Sequence, residues 1–407
     1  MYLNKHEEAL LDGEQGVAPQ LAMKILTRLG DIYGAKKMIP IASAHVLGHY
    51  GSLHDAGIDV IEKFAEAGGK FKVQTTVDPA SMDLERWREF RVPEEYAKKQ
   101  IRLCEALRKM EVMPIWDCTP YLHGNIPRFG QQIAWAESSA VSFSNSIIGA
   151  RTNRISVGVD ISASIAGRIP ETGLHLKENR YGDIIVKMKR SEYSEIDYNT
   201  IGYLIGKVAK DQIPIFADFP IDATIDQLKN MGAAAASSGS VSIYHIVGLT
   251  PEARTLKEAL GEKPPTDKIE LGIREIEKAQ GELSTIAGGR IDLVAVGCPH
   301  YSVEQIKKLA LLLKGKKVHR NTEFWIYVSK WVAELSRRMG FSSLIEAAGA
   351  RILTQTCLVI CPITTWGFDV IMTDSAKYAN VLPSEHKVDV IYASIENCVK
   401  AAIAGRA

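Results

Sequence analysis

Residues 290–315, "RIDLVAVGCPHYSVEQIKKLALLLKG", read as a strand, a short loop and a helix in direct succession. The same alternation extends outward in both directions. Toward the C-terminus, "KWVAELSRRMGFSSLIEAAGA" (330–350) predicts a helix, "RILTQTCLVICP" (351–362) a strand, and "KVDVIYASIENCVKAAIAG" (387–405) another strand–helix unit. Toward the N-terminus, "PIFADFP" (214–220) and "SVSIYHIVGLTPEA" (240–253) predict strands, with the helical "TIDQLKNMGAAAASSG" (224–239) between them. Earlier still, a helix over 93–110 leads to a strand over 112–116, and "GIDVIEKFAEAGG" (57–69) is an amphipathic helix stopped by two glycines. "KFKVQTTVDPAS" (70–81) follows as a strand with a proline at its exit, and residues 5–30 read as helix interrupted by "DGEQG". Strands alternating with helices of this length predict parallel sheets flanked by helices, an α/β architecture. With "GEKPPTDK" (261–268) as the most linker-like stretch, three domains are expected at 1–130, 131–265 and 266–407.

The composition narrows the class. Of 407 residues, 46% are hydrophobic, ample for real cores, and the net charge of +1 gives no footprint for nucleic acid or an anionic membrane. Apolar runs such as "LVAVGCP" and "CLVICPI" fall far short of the roughly 20 residues a bilayer span needs. The start "MYLNKHEEALLDGEQG" is charged and lacks a signal-peptide core, so a cytoplasmic protein is expected. In that reducing compartment six cysteines point to free thiols or metal ligands rather than disulfides. Their long spacings exclude a zinc finger or ribbon.

Cys104 and Cys398 lie within helical patterns, where buried packing accounts for them. Cys118 in "IWDCTPYLHG", Cys298 in "VAVGCPHYS" and Cys357 in "LTQTCLVICP" sit instead at predicted C-terminal strand ends, the edge where α/β sheets gather their ligands. One loop cysteine is ordinarily structural; three at equivalent positions point to a shared site. Cys361 competes with Cys357, four residues away. Three thiolates on a four-iron cluster leave one iron open to a substrate hydroxyl and carboxylate, although a three-cysteine zinc site has the same ligand count.

Anion-binding candidates surround these cysteines. "SNSIIGARTNR" (144–154) presents Arg151 and Arg154 together with Asn145 and Ser146. "SSGSVSIYHIVG" places Ser237, Ser238 and Gly239 in a turn that suits a backbone nest, and "AGRIPETG" holds Arg168. "SAHVLGHYG" carries His45 and His49, each a candidate acid/base group against the commoner reading of a structural histidine, and His300 lies two residues beyond Cys298. "TTVDPASMD" offers Thr75 and Thr76, with Asp78 equally explained as a turn former.

Taken with "EEALLDGEQG" (7–16), the run from Asp117 to Arg154, "VGCPHYSVEQI" and "TQTC", these segments resemble the large, catalytic subunit of the aconitase X family along essentially the whole chain. The resemblance implies an aconitase-like fold, with about three α/β/α domains around a central cleft and no small swivelling domain, so a separate small subunit is the expected partner. It implies that Cys118, Cys298 and Cys357 hold an iron–sulfur cluster, a [4Fe-4S] cluster being expected, and it favours Cys357 because the family cysteine directly follows the Thr of "TQTC". The chain departs from the family pattern at Gln355, where an Asp is common, and in "TNRISVG", which lacks an acidic–Gly–Gly run. The implied activity is that of a hydro-lyase on a small hydroxy acid: (R)-5-phosphomevalonate, giving trans-anhydromevalonate 5-phosphate, with cis-3-hydroxy-L-proline as the alternative. Asn145 and Arg151 are the leading contacts for the substrate anion, backed by Ser146, Arg154, Arg168, Thr75 and Thr76, with Ser237, Ser238 and Gly239 for a phosphate. On this chain His45 and His300 are the acid/base candidates, while the family resemblance puts the base, a serine, on the small subunit. An iron-sensing or RNA-binding protein is the reading from another class, and the near-zero net charge argues against it.

Overall fold

The five-stranded sheet of the C-terminal third sets the pattern for the whole chain. In the computed structural model, which describes residues 1–189 and 192–407, its parallel strands run in the order Arg351–Thr354, Glu323–Val328, Leu293–Tyr301, Val370–Thr373, Asp389–Tyr392. The central strand Leu293–Tyr301 is buried along its entire length, as a strand covered on both faces must be. Leu293 and Ala295 join Trp325 and Tyr327 in one core, which takes in Tyr378 and Leu382 of the helix Ala376–His386. Val294 and Val296 face the opposite core, with Ile306 and Leu309 of the helix Val303–Leu313 and Cys398 of the helix Ile395–Ala404. The helix Val303–Leu313 starts where the Ser302 hydroxyl accepts from the Gln305 N–H at 3.3 Å and the Gln305 side chain accepts from the Ser302 N–H at 3.1 Å. Gly297 sits at φ +100°, and a Cβ there would stand 2.2 Å from the Tyr327 carbonyl oxygen, so the strand turns toward Cys298 only as glycine.

Two smaller parallel sheets precede it. One runs Gln74–Val77, Ser43–Val46, Ala134–Trp135; the other runs His245–Ile246, Pro214–Phe216, Ile184–Met188, Asp267–Leu271. An antiparallel ribbon, Met38–Pro40 with Arg168–Pro170, closes the first unit. The boundary expected at 130 passes through this unit, since Ala134–Trp135 is paired with Ser43–Val46.

Local differences from expectation have simple causes. Residues 112–116 form no strand beyond one bridge between Met113 and Thr76, because Pro114 has no N–H to offer a ladder. The helix expected over 5–30 is two helices, Lys5–Asp12 and Val17–Ile32, divided at "DGEQG". The strand expected over 351–362 ends at Thr354, and the short 3-10 turn Leu358–Ile360 separates its two cysteines. The segment 240–253 contributes only His245–Ile246 to a sheet. Among the described residues no helix is long and apolar enough to cross a membrane.

Candidate active site

Cys118, Cys298 and Cys357 come from two different sheets and meet at their C-terminal edges. Cys118 follows residues hydrogen-bonded to the end of the strand Gln74–Val77, the Asp117 N–H donating to the Val77 carbonyl at 3.0 Å. Cys298 lies in the central strand of the five-stranded sheet, joined to Pro299 by a cis peptide, and Cys357 follows the edge strand Arg351–Thr354. The Cys298 thiol hydrogen-bonds the Cys357 sulfur, which brings Cys357 down to about 6 against the cost of burial; Lys377 assists. Cys118 lies near enough for its charge to be felt by Cys298, and its sulfur accepts the His300 N–H at 3.4 Å. Cys361 points elsewhere. Its sulfur lies 3.2 Å from both the Thr356 hydroxyl and the Cys357 carbonyl oxygen, and burial pushes its thiol strongly up.

Two buried cations flank the thiols, each held by its own carboxylate. His300 Nδ1 lies 2.7 Å from Asp117 Oδ1 and Nε2 lies 2.8 Å from the Thr356 carbonyl oxygen. A carboxylate and a carbonyl both require a donor, so both ring nitrogens carry protons. Burial opposes that charge, but Cys118 and Asp117 hold the imidazolium well above its ordinary range. Asp117 also accepts from the Thr119 hydroxyl and is bonded to His123 Nε2. The expectation that His300 exchanges protons with a substrate is corrected here, because neither nitrogen is left for one. Asp117, Cys118 and His300 do bring ligand atoms within 4.8 Å of one another, but the same committed nitrogens remove His300 as a metal ligand.

The second cation is Lys377, in the first turn of the helix Ala376–His386. Its ammonium lies 2.8 Å from Glu137 Oε1, with the hydroxyls of Ser138 and Ser139 at 3.4 and 3.5 Å. Burial disfavours both charges, yet Lys377 holds the Glu137 carboxyl far below the carboxylate range and Glu137 raises Lys377 in return. Neither residue carried a sequence signal. Lys377 is one lysine among many, and Glu137 gains its meaning only from following the strand Ala134–Trp135. Lys229 was equally hidden; its ammonium donates to the His300 carbonyl and to Gln305 Oε1, each at 2.8 Å.

His45 is wholly enclosed, its Nδ1 2.8 Å from the Thr76 hydroxyl and its Nε2 3.6 Å from Asp78 Oδ1. His49 Nε2 lies 3.3 Å from the other Asp78 oxygen, while His49 Nδ1 is buried with no hydrogen-bond partner. This set abuts the third cysteine loop: two residues beyond His49, a Cβ on Gly51 would stand 2.1 Å from the Ile360 carbonyl oxygen. Thr76 belongs to the His45 network, whereas the Thr75 hydroxyl turns back to the Val73 carbonyl at 2.9 Å.

The predicted anion contacts disperse. All four amide valences of Asn145 are used: Nδ2 donates to the Thr152 and Ser242 carbonyls, and Oδ1 accepts from the Thr152 N–H and from Arg180. Asn145 therefore shapes its loop and has nothing left for a substrate. Ser146 accepts from the Tyr244 N–H at 2.9 Å. Arg168, in the antiparallel ribbon, pairs with Glu7 of the N-terminal helix at 3.2 Å. Arg154 is exposed, donates to the Ala236 carbonyl at 3.3 Å, and lines a cleft of about 890 Å³ bordered by none of the cysteines. Ser237 and Ser238 end the helix Ile225–Ser238 and hydrogen-bond carbonyls, and Gly239 packs against the Gly206 backbone. A helix C-terminus is the negative end of the dipole, so the phosphate nest expected there is corrected. Among these residues Arg151 is the one with a buried donor left without a partner, its Nε.

Parallel sheets whose C-terminal edges bring three thiols and two cations together define an α/β enzyme-type site compatible with a metal cofactor. Family models described as the first, second and third domains of aconitase X match residues 1–178, 182–281 and 291–404. The chain belongs to the aconitase X family. It is 44% identical to a phosphomevalonate dehydratase large subunit of Methanocaldococcus jannaschii, over 98% of this chain and all of the relative. It is 36% identical to a cis-3-hydroxy-L-proline dehydratase of Pseudomonas aeruginosa, over 99% of this chain and 70% of the relative. The crystal structure of Thermococcus kodakaraensis aconitase X in its holo-form superposes with a TM-score of 0.90 at 38% identity, covering 99% of this chain and all of that one.

Proposed function

We propose that this chain is the large subunit of a dehydratase that converts (R)-5-phosphomevalonate to trans-anhydromevalonate 5-phosphate, in an archaeal-type mevalonate pathway in the cytoplasm. The observation that carries the reading is the meeting of Cys118, Cys298 and Cys357 at facing sheet edges beside two buried cations. The names of the archaeal relatives favour this substrate, and two of those relatives are matched over 100% and 98% of their length. The three thiols would hold an iron–sulfur cluster of the [4Fe-4S] kind, which supplies a Lewis acid for a departing hydroxyl.

The chain's own residues do the remaining work. The Asp117–His300 pair fixes Cys118 from behind through the His300 N–H and offsets thiolate charge. Arg151, with its idle Nε, is the contact for the substrate's anionic end. His49, with Nε2 beside Asp78 and a buried, unpartnered Nδ1, takes the proton-carrying role in place of His45. The base that removes the proton alpha to the carboxylate belongs to a small partner subunit, consistent with the relatives' designation as large subunits.

The test is anaerobic co-expression with the candidate small subunit, followed by iron and sulfide analysis and assay of both hydroxy acids. Turnover of (R)-5-phosphomevalonate by a brown complex is expected; turnover of cis-3-hydroxy-L-proline alone selects the other substrate. Cys298→Ser should lose colour and activity together while the far-ultraviolet spectrum stays unchanged. Full activity in that variant would overturn the cluster assignment.

A further inference from the structure

A hydroxy acid bound at the thiols needs a cation for its carboxylate, and most cations of this chain are already committed. Arg168 is paired with Glu7, and Arg180 is spent on Glu252 and on the carbonyls of Asn145 and Ala150. Lys229 and His300 lie close to the thiols, but their side chains are 0% and 1% exposed and every strong donor is taken. Lys377 differs on each count. Its side chain is 15% exposed, its partner Glu137 13%. Of three ammonium protons one makes a good bond, to Glu137 at 2.8 Å, and two make only the long contacts to Ser138 and Ser139. It also sits where a cation is intrinsically disfavoured, in the first turn of the helix Ala376–His386. The cap gains nothing from that placement, since Ser375 already caps the helix by accepting from the Tyr378 N–H. The same turn touches the thiols: the Ser375 hydroxyl donates to the Cys298 carbonyl at 2.7 Å, and the Tyr378 hydroxyl lies 3.6 Å from the Cys357 sulfur.

We propose that Lys377 binds the substrate's carboxylate, turning its two weakly engaged N–H groups from the Ser138 and Ser139 hydroxyls to the incoming anion while Glu137 holds the ammonium in place. The assignment rests on the dehydratase reading of the site and names the group that recognises the acid common to both candidate substrates. Arg151 then serves the far end of the molecule, and Lys377 the end that lies at the thiols.

The experiment compares the wild-type complex with K377Q and K377R by calorimetric titration, using (R)-5-phosphomevalonate and its carboxamide analogue, with iron and sulfide measured on the same samples. K377Q should keep iron and sulfide at wild-type ratios and bind the acid about 100-fold more weakly. K377R, which retains the charge, should recover much of that loss. The penalty should vanish for the carboxamide, a selectivity that general loosening of the fold does not produce. Equal loss for acid and carboxamide, or iron loss with unchanged affinity, would assign Lys377 to the thiols or to packing and overturn the proposal. If the wild-type complex binds the acid and K377Q binds it equally, this assignment alone fails. If the wild type binds no hydroxy acid, the reading of the site fails and takes the assignment with it.

Discussion

At the scale of single residues, the two cysteines four apart are distinguished by their neighbours rather than by their spacing. Cys357 faces Cys298 and Tyr378, while Cys361 is turned into the backbone of its own loop. Cys361→Ser should therefore keep iron and cost about 1 kcal/mol, a serine hydroxyl reproducing most of the hydrogen bonding. Cys357→Ser should lose the metal. Iron analysis of the two purified variants reads the difference directly. Asp374 makes a second residue-scale prediction. Buried and bonded to the Tyr301 hydroxyl, its carboxyl is pushed up to about 6 by desolvation, with the hydrogen bond working the other way. A raised carboxyl favours the folded state while protonated. Its contribution is complete below about pH 4 and is lost as the pH rises through 6, on the order of 3 kcal/mol in all. Asp374→Asn can still accept from Tyr301 and should flatten that part of the stability profile; an unchanged slope between pH 4 and 6.5 would show that another group titrates there.

Elements place the chemistry, and much of that placement could be read in advance. The strand–loop–helix pattern of 290–315 announces a parallel sheet with Cys298 at its edge, and the structure has both. What could not be read were contacts made across units. Asn145, Arg168 and the Ser237–Gly239 turn carry ligand-like residue types, yet each is engaged by a partner distant in sequence, 97, 161 and 35 residues away. Lys377 and Glu137 have no local pattern, because their pairing spans 240 positions. The close approach of Gly51 to the Cys357 loop is of the same kind. Its absent Cβ would meet a backbone oxygen, which cannot swing aside as a side chain does. Gly51→Ala should cost about 1–3 kcal/mol and lower iron retention. Gly281→Ala, in the helix Ile273–Glu282 with open space around it, should instead gain about 0.5–1 kcal/mol and leave iron unaffected. Melting curves and iron content of the pair separate loop displacement from a general effect of adding a methyl.

The molecule as a whole is tied together at its chemical centre. The helix Ala376–His386 reaches the first unit through Lys377 and the second through Asn380, whose amide donates to the Ser237 carbonyl at 3.0 Å. The thiols are likewise contributed by two units, so a metal that binds all three recognises only the assembled fold. Reconstitution with iron and sulfide should raise the melting temperature of the entire chain in one step, and Cys118→Ser should abolish the increase. A shift confined to one of two separate transitions would mean that the units unfold independently. The distribution of the sulfurs along the polypeptide also sets a timetable for manufacture. Cys118 leaves the ribosome first, Cys298 much later, and Cys357 last of the three. A nascent chain thus has no complete nest to fill, and delivery of the inorganic group must wait until Cys357 has emerged.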